Sequence, residues 1–250
     1  MIIWITGASS GLGRELASQY AQAGHQVCVS ARGAEALAEL VEDCADMDGS
    51  IHAYGLDVTN PEQIASCFEE IKQSVGVPNL CVFNAGTHTE NPAKGFDSKV
   101  YQRLMNINYM GVVNCLQVIV PVYLQQGQGQ IAVVSSVAGY RGLPNASAYG
   151  ASKAALINMC EALQPELAAE NVDLRLINPG FVRTPLTDLN EFPMPFLMEV
   201  EDAAARMVKG LAGNSFEITF PRRFTWLLKF LCILPYAVYL RLTRKLLRDV

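Results

Sequence analysis

The amino-acid sequence predicts an α/β fold in a single domain: a doubly wound, seven-stranded parallel sheet with helices on both faces. Three observations lead to it. Short β-branched runs alternate with longer stretches of helical period, and such alternation requires right-handed crossovers above and below a parallel sheet. No Pro/Gly/Ser linker and no repeat of solenoid period interrupts the series. At 250 residues, half of them hydrophobic, the chain can bury one large core, near the upper size of a single α/β domain.

The elements follow in order. "MIIWIT" (1–6) is short, β-branched and ends at glycine, so it reads as the first strand, and "LGRELASQYAQAG" (12–24) as the helix returning from it. "HQVCVSAR" (25–32) and "AEALAELVEDCA" (34–45) repeat the pair, as do "IHAYGLDV" (51–58) and "PEQIASCFEEIKQSV" (61–75). "NLCVFNAG" (79–86) is the fourth strand and "GQIAVVSS" (129–136) the fifth, the latter followed by a helix that starts near Ala148. "VDLRLINPG" (172–180), a helix near 200–211 and "FEITF" (216–220) complete seven strands. Ligands of such sheets bind at the carboxyl ends of the strands, where the strand order reverses.

Composition narrows the function classes. Charged residues make up only 17% of the chain, which speaks for a compact body rather than disorder. A net charge of −5 gives no reason to expect nucleic-acid binding. The seven cysteines (28, 44, 67, 81, 115, 160 and 232) are odd in number, form no C-x-x-C pair and sit mostly in apolar runs. They read as buried reduced thiols, with no zinc or other metal site. No basic segment, signal h-region or cleavage site precedes the first strand, and a cytoplasmic location is expected.

The first strand runs into "TGASSGLGREL", which spaces Gly7, Gly11 and Gly13 in a strand-to-helix turn. Glycines let backbone approach a diphosphate closely, and the helix N-terminus supplies free N–H groups and partial positive charge. The position after the first strand is the one a dinucleotide fingerprint requires. The second strand ends in Ala31 and Arg32, where an NAD-specific site would hold an acid for the ribose 2′-hydroxyl. Arg32 pairs instead with a 2′-phosphate, so NADP(H) is the expected cofactor.

Added to that loop, "LDVT" (56–59), "NAG" (84–86), "NINYMG" (106–111), "SSVAG" (135–139), "YGASK" (149–153) and "NPG" (178–180) form one ordered set. The chain resembles the roughly 250-residue branch of the short-chain dehydrogenase/reductase family over residues 1 to about 220. The resemblance implies a Rossmann fold, a small-molecule carbonyl or alcohol substrate, and a homodimer or homotetramer. It assigns cofactor contacts to Gly7, Ser9, Ser10, Gly11, Leu12 and Gly13 in the loop, and to Arg32, Asp57 and Val58 near the adenine and ribose. Asn84, Ala85 and Gly86 brace the adenosine half, while Pro179, Gly180, Val182 and Thr184 lie along the nicotinamide. The catalytic set is Asn108, Ser136, Tyr149 and Lys153, the last two also holding the cofactor, with Ser135 as structural neighbour. Ser10 departs from those NADP-using members with a second basic residue before the middle glycine, so the cofactor preference rests on Arg32.

The residue chemistry agrees with these roles. A helix puts i and i+4 on one face, so the Lys153 ammonium can lie near the Tyr149 phenol and draw it down from its ordinary value of about 10. Such a phenol protonates a developing alkoxide as hydride reaches the carbonyl carbon, with Ser136 donating a hydrogen bond to that oxygen. Oxidation of a secondary alcohol uses the same groups in reverse. The alternative is a dinucleotide-binding sensor or scaffold without turnover, which would have no use for an activated phenol.

Three further stretches complete the reading. His25, His52 and His88 are scattered, with no metal-like spacing, and read as surface or loop residues. "FPMPFLM" (192–198) falls in a substrate lid at about 185–200 and suits an apolar or lipid-like substrate. Residues 221–250 carry seven cations (Arg222, Arg223, Lys229, Arg241, Arg244, Lys245, Arg248) against one acid, Asp249, which leaves −11 on the rest of the chain. Only eleven residues separate Lys229 from Arg241, too few for a spanning helix of about 20. This basic, apolar extension could lie peripherally on an anionic membrane, pack on a partner subunit or close the substrate pocket.

Overall fold

A computed structural model of the chain describes residues 1–188 and 194–245. Seven strands form one parallel sheet in the order β3-β2-β1-β4-β5-β6-β7: β1 (Ile2–Thr6), β2 (Gln26–Ala31), β3 (Ser50–Gly55), β4 (Leu80–Phe83), β5 (Gly129–Val134), β6 (Val172–Pro179) and β7 (Glu217–Phe220). The order reverses between β1 and β4, which opens a crevice at their carboxyl ends. The expected fold class is found.

The strands form because both of their faces are covered. Along β1, Ile3 and Ile5 enter one core while Trp4 enters the other, and all three are fully buried. The Ile3 side is covered by α1 (Gly11–Gln22), α2 (Ala34–Asp43) and α7 (Val200–Leu211), whose Leu16, Leu37, Leu40 and Met207 join that core. The Trp4 side is covered by α3 (Pro61–Ser74), α5 (Gly111–Gln126) and α6 (Ser147–Ala169), with Ile64, Phe68, Ile119 and Leu156 inside. Asn60 caps α3 by accepting from the N–H groups of Glu62 and Gln63, and Pro61 occupies the first turn, where its missing N–H costs nothing.

Two stretches differ from the sequence expectation. The run at 51–58 leaves the sheet after Gly55, because the Asp57 carboxylate accepts from the Thr59 N–H and hydroxyl at 2.9 and 2.8 Å and turns the chain. Between β4 and β5, where no helix was assigned, stand α4 (Ser98–Leu104), a π-helical stretch (Met105–Met110) and α5. The segment Ser98–Gln126 is long and apolar enough to cross a membrane. Its Val112, Cys115, Leu116, Ile119 and Tyr123 are instead buried in the core of the sheet, which accounts for its composition.

Beyond β7 the chain forms α8 (Arg222–Cys232) and α9 (Tyr236–Lys245). Part of the expected lid, residues 189–193, and the tail residues Arg248 and Asp249 lie outside the described residues.

Candidate active site

The loop after β1 and the start of α1 form one wall of a cleft of about 600 Å³ at the reversal point. Gly7 is at φ +70°, and a Cβ there would sit 2.6 Å from Ala85 Cα. At Gly13 it would sit 2.4 Å from the Gly7 carbonyl oxygen, so side chains at these positions would push the loop off β4. Asn84 completes this contact: its amide donates to the Gly7 oxygen at 3.0 Å, and its N–H donates to the Thr6 hydroxyl at 3.1 Å. Ser10 caps α1 without a side-chain bond to the helix. The helix N-terminus therefore points free N–H groups at a glycine-walled space, a fit for a diphosphate.

Ser9, Gly11 and Leu12 line the same cleft. Arg32, Asp57 and Val58 form its outer end, and Arg32 is exposed. The Thr59 N–H hydrogen bond holds the Asp57 carboxyl below its usual range, with Arg32 adding to the effect. Pro179, Gly180, Val182 and Thr184 form the opposite wall. Thr184 approaches Gly11 so closely that a Cβ there would meet it at 3.1 Å. Gly13 alone of the expected contacts is kept out of the cleft lining, since it packs on Gly7 and Asn84.

At the inner end stand the expected catalytic residues. The start of α6 carries Tyr149 and Lys153 one turn apart, and Ser136 follows β5. Tyr149 and Ser136 line the cleft together, and the Ser136 side chain is near enough to act on the Tyr149 phenol. The Lys153 ammonium donates to the Val134 carbonyl at 2.9 Å and lies 5.8 Å from the centre of the Tyr149 ring. Ser135 is the structural partner, its hydroxyl donating to the Lys153 carbonyl at 2.8 Å.

The expected depression of the Tyr149 pKa is not found. Burial raises it above the ordinary phenol value, against an opposing effect of the Ser136 side chain, while burial pushes Lys153 down to about 8. The cation sits beside the ring and is directed at a backbone carbonyl, so desolvation outweighs its pull on the hydroxyl. At neutral pH the pair is a neutral phenol beside a mostly protonated lysine, which suits proton donation.

Asn108 lies in the π-helical stretch, whose extra residue per turn sets the side chain between two elements. Its side-chain oxygen accepts from the Thr87 N–H at 2.8 Å, and its amide donates to the Thr87 carbonyl at 3.0 Å and the Ser152 hydroxyl at 2.9 Å. Ser152 in turn donates to the Tyr149 carbonyl at 2.8 Å. Asn108 thus locks the loop after β4 to the helix that carries Tyr149.

Sequence reasoning missed Thr87, Ser152 and His88. Ser152 carried a signal, as a polar residue inside the Tyr149-to-Lys153 turn. His88 lies in a loop, as expected, and nothing in the sequence signals its contact: its ring stands 4.8 Å from that of Tyr149 at 80°, and its buried Nδ1 has no hydrogen-bond partner among the described residues. Burial lowers its pKa, so it is neutral at pH 7.

Comparison with known proteins agrees with this geometry. The family pattern described as short chain dehydrogenase matches residues 1–192. An uncharacterized oxidoreductase of Myxococcus xanthus is 34% identical over 242 residues, covering 97% of this chain and 96% of its own. A 3-oxoacyl acyl-carrier-protein reductase of Thermotoga maritima is 35% identical over 184 residues, covering 74% of this chain and 75% of its own. Among solved structures, a Sphingobium yanoikuyae short-chain dehydrogenase in complex with NADPH shares the fold at a TM-score of 0.81, with 24% identity over 90% of this chain and 91% of that one. One from Burkholderia phymatum in complex with NAD shares it at 0.83, with 24% identity over 91% of both chains. The chain belongs to the short-chain dehydrogenase/reductase family of oxidoreductases.

Proposed function

We propose that the chain is an NADP(H)-dependent oxidoreductase that interconverts a carbonyl and a secondary alcohol on an apolar substrate. The observation that carries this reading is the convergence of Ser136, Tyr149 and Lys153 at the inner end of a cleft whose walls fit a dinucleotide. A bound nicotinamide would supply or accept the hydride. The neutral Tyr149 phenol donates its proton to the substrate oxygen, and the Ser136 hydroxyl steadies that oxygen through a hydrogen bond. Lys153, cationic below about pH 8, favours the phenolate left behind. Asn108 and Ser152 hold Tyr149 in place from the backbone side.

NADP(H) over NAD(H) is supported by Arg32, which forms no ion pair or hydrogen bond among the described residues and is free to meet a 2′-phosphate. An apolar substrate is supported by Val182, Pro185 and Leu186 in the cleft wall. The similar 3-oxoacyl acyl-carrier-protein reductase suggests an acyl-chain carbonyl as the first class to assay. The test is NADPH oxidation against simple ketones and 3-oxoacyl thioesters of increasing chain length. Turnover that rises with chain length is expected; no oxidation with any carbonyl, while NADPH still binds, would overturn the reading in favour of a sensor.

A further inference from the structure

The consecutive helices α8 and α9 expose apolar residues that a soluble protein would bury. On α8 the inner face buries Phe224 and Thr225, yet Trp226, Leu227, Phe230 and Ile233 follow the i, i+1, i+4, i+7 spacing of one outward stripe. Trp226 is 72% exposed and Ile233 77%. On α9, Tyr236, Val238, Leu240 and Leu242 are exposed as well, while Tyr239 and Thr243 are buried. Scattered exposed apolar residues are ordinary, but a contiguous helical stripe of this size marks a surface with a partner.

Charge identifies the partner. Residues 222–245 hold six cations (Arg222, Arg223, Lys229, Arg241, Arg244, Lys245) and no acid. Lys229 is spent on Glu217, which also accepts from Tyr140 and Asn178, and the other five are exposed. The rest of the chain is strongly acidic. A second copy meeting this face across a two-fold axis would set cation against cation. A surface that is apolar beneath and anionic above matches both features at once, and that is an anionic lipid bilayer.

Both helices are tied to the loop after β5. Arg141, five residues after Ser136, donates to the carbonyls of Leu231, Cys232 and Leu234 at the end of α8, and its guanidinium lies 3.9 Å from the centre of the Tyr239 ring. Tyr239 returns a hydrogen bond to the Gly142 carbonyl at 2.7 Å. At the other end Phe224 packs on Gly180, and the rings of Phe181 and Phe196 are tilted against it at 5.7 and 5.8 Å. The two helices are thus fixed as a rigid platform that adjoins the substrate side of the cleft. We infer that the outer face of α8 and α9 docks the enzyme peripherally on anionic membranes, with the α8 stripe entering the interface and the arginines of both helices meeting lipid headgroups.

The test needs no turnover, so it stands apart from the catalytic reading. Full-length protein is sedimented with vesicles of phosphatidylcholine alone and of phosphatidylcholine mixed equally with phosphatidylglycerol. Binding to the mixed vesicles, reversed by high salt, is expected. The chain's two tryptophans help, because Trp4 is 0% exposed and any blue shift on binding reports Trp226. Trp226→Glu/Phe230→Glu, both at exposed sites, should lower the bound-to-free ratio at least tenfold while the far-UV circular dichroism spectrum and the urea midpoint stay those of the parent. The inference is overturned if the parent protein stays in the supernatant with the mixed vesicles, or if the double variant binds them equally well. It is also overturned if the parent is an oligomer in solution that the double variant splits, since the stripe is then a subunit contact.

Discussion

The ring of His88 stands at 80° to the ring of Tyr149 with their centres 4.8 Å apart, so the Tyr149 ring is steadied by an edge-to-face contact from a loop distant in sequence. The Ser152 hydroxyl, donating to the Tyr149 carbonyl at 2.8 Å, holds its backbone. Edge-to-face aromatic pairs contribute roughly 0.5–1.5 kcal/mol beyond burial. His88→Ala should therefore lower kcat by about three- to tenfold with little change in the KM for NADPH, and His88→Phe, which keeps the ring contact, should restore most of it. Equal losses in both variants would show that the imidazole acts through its nitrogens, and Nδ1 would then be a substrate contact.

Tyr149→Phe removes one oxygen atom from the site and leaves the ring packing against His88 intact. A positioned acid is worth about 10²- to 10⁴-fold, so carbonyl reduction should fall by at least 10²-fold while NADPH binding, followed by fluorescence titration, changes little. Near-normal turnover in this variant would remove Tyr149 from the mechanism.

Arg32 is exposed at the outer end of the cleft beside Asp57. Arg32→Asp replaces a partner for a 2′-phosphate with a charge that repels it and offers a carboxylate to a ribose 2′-hydroxyl. The ratio of kcat/KM with NADPH to kcat/KM with NADH should fall at least tenfold. A parent enzyme that already prefers NADH would end the assignment of Arg32.

The fold was legible because local signals coincide with the elements: Ile3, Trp4 and Ile5 alternate between two cores, and Asn60-Pro61 opens α3 with a cap. Tyr149 and Lys153 were legible as an i, i+4 pair on one helix face, and Ser136 through the family resemblance that "SSVAG" and "YGASK" carry. What escaped depends on contacts between distant segments. His88 meets Tyr149 across 61 positions of sequence, and Arg141 meets Leu234 across 93. Nothing in "NINYMG" announces a π-helical turn, yet that turn places Asn108 between Thr87 and Ser152. The sign of the Tyr149 shift also escaped, because i, i+4 spacing says that two side chains are near and not where the ammonium points.

Lys153 is nearly fully buried, and burial pulls its pKa from an ordinary 10.5 to about 8. Between those values the unfolded chain holds a proton that the folded chain has released, so this group makes stability rise with pH from about 8 to 10.5; below 8 the buried ammonium is a standing cost. On the proposed mechanism Lys153→Met should abolish turnover, but it removes that cost. The difference of about 2.5 pH decades sets a ceiling of about 3 kcal/mol, and the Val134 carbonyl, which loses its donor, takes back about 1–2 kcal/mol of it. At pH 7 the variant should be more stable than the parent by about 1–2 kcal/mol, and the gain should shrink as pH rises through 8 to 10. Urea midpoints of both proteins at pH 7 and pH 10 measure this directly. A gain of the same size at both pH values, or a variant less stable than the parent at pH 7, would mean that the ammonium is well solvated in the folded enzyme and that Lys153 stays charged far above pH 8.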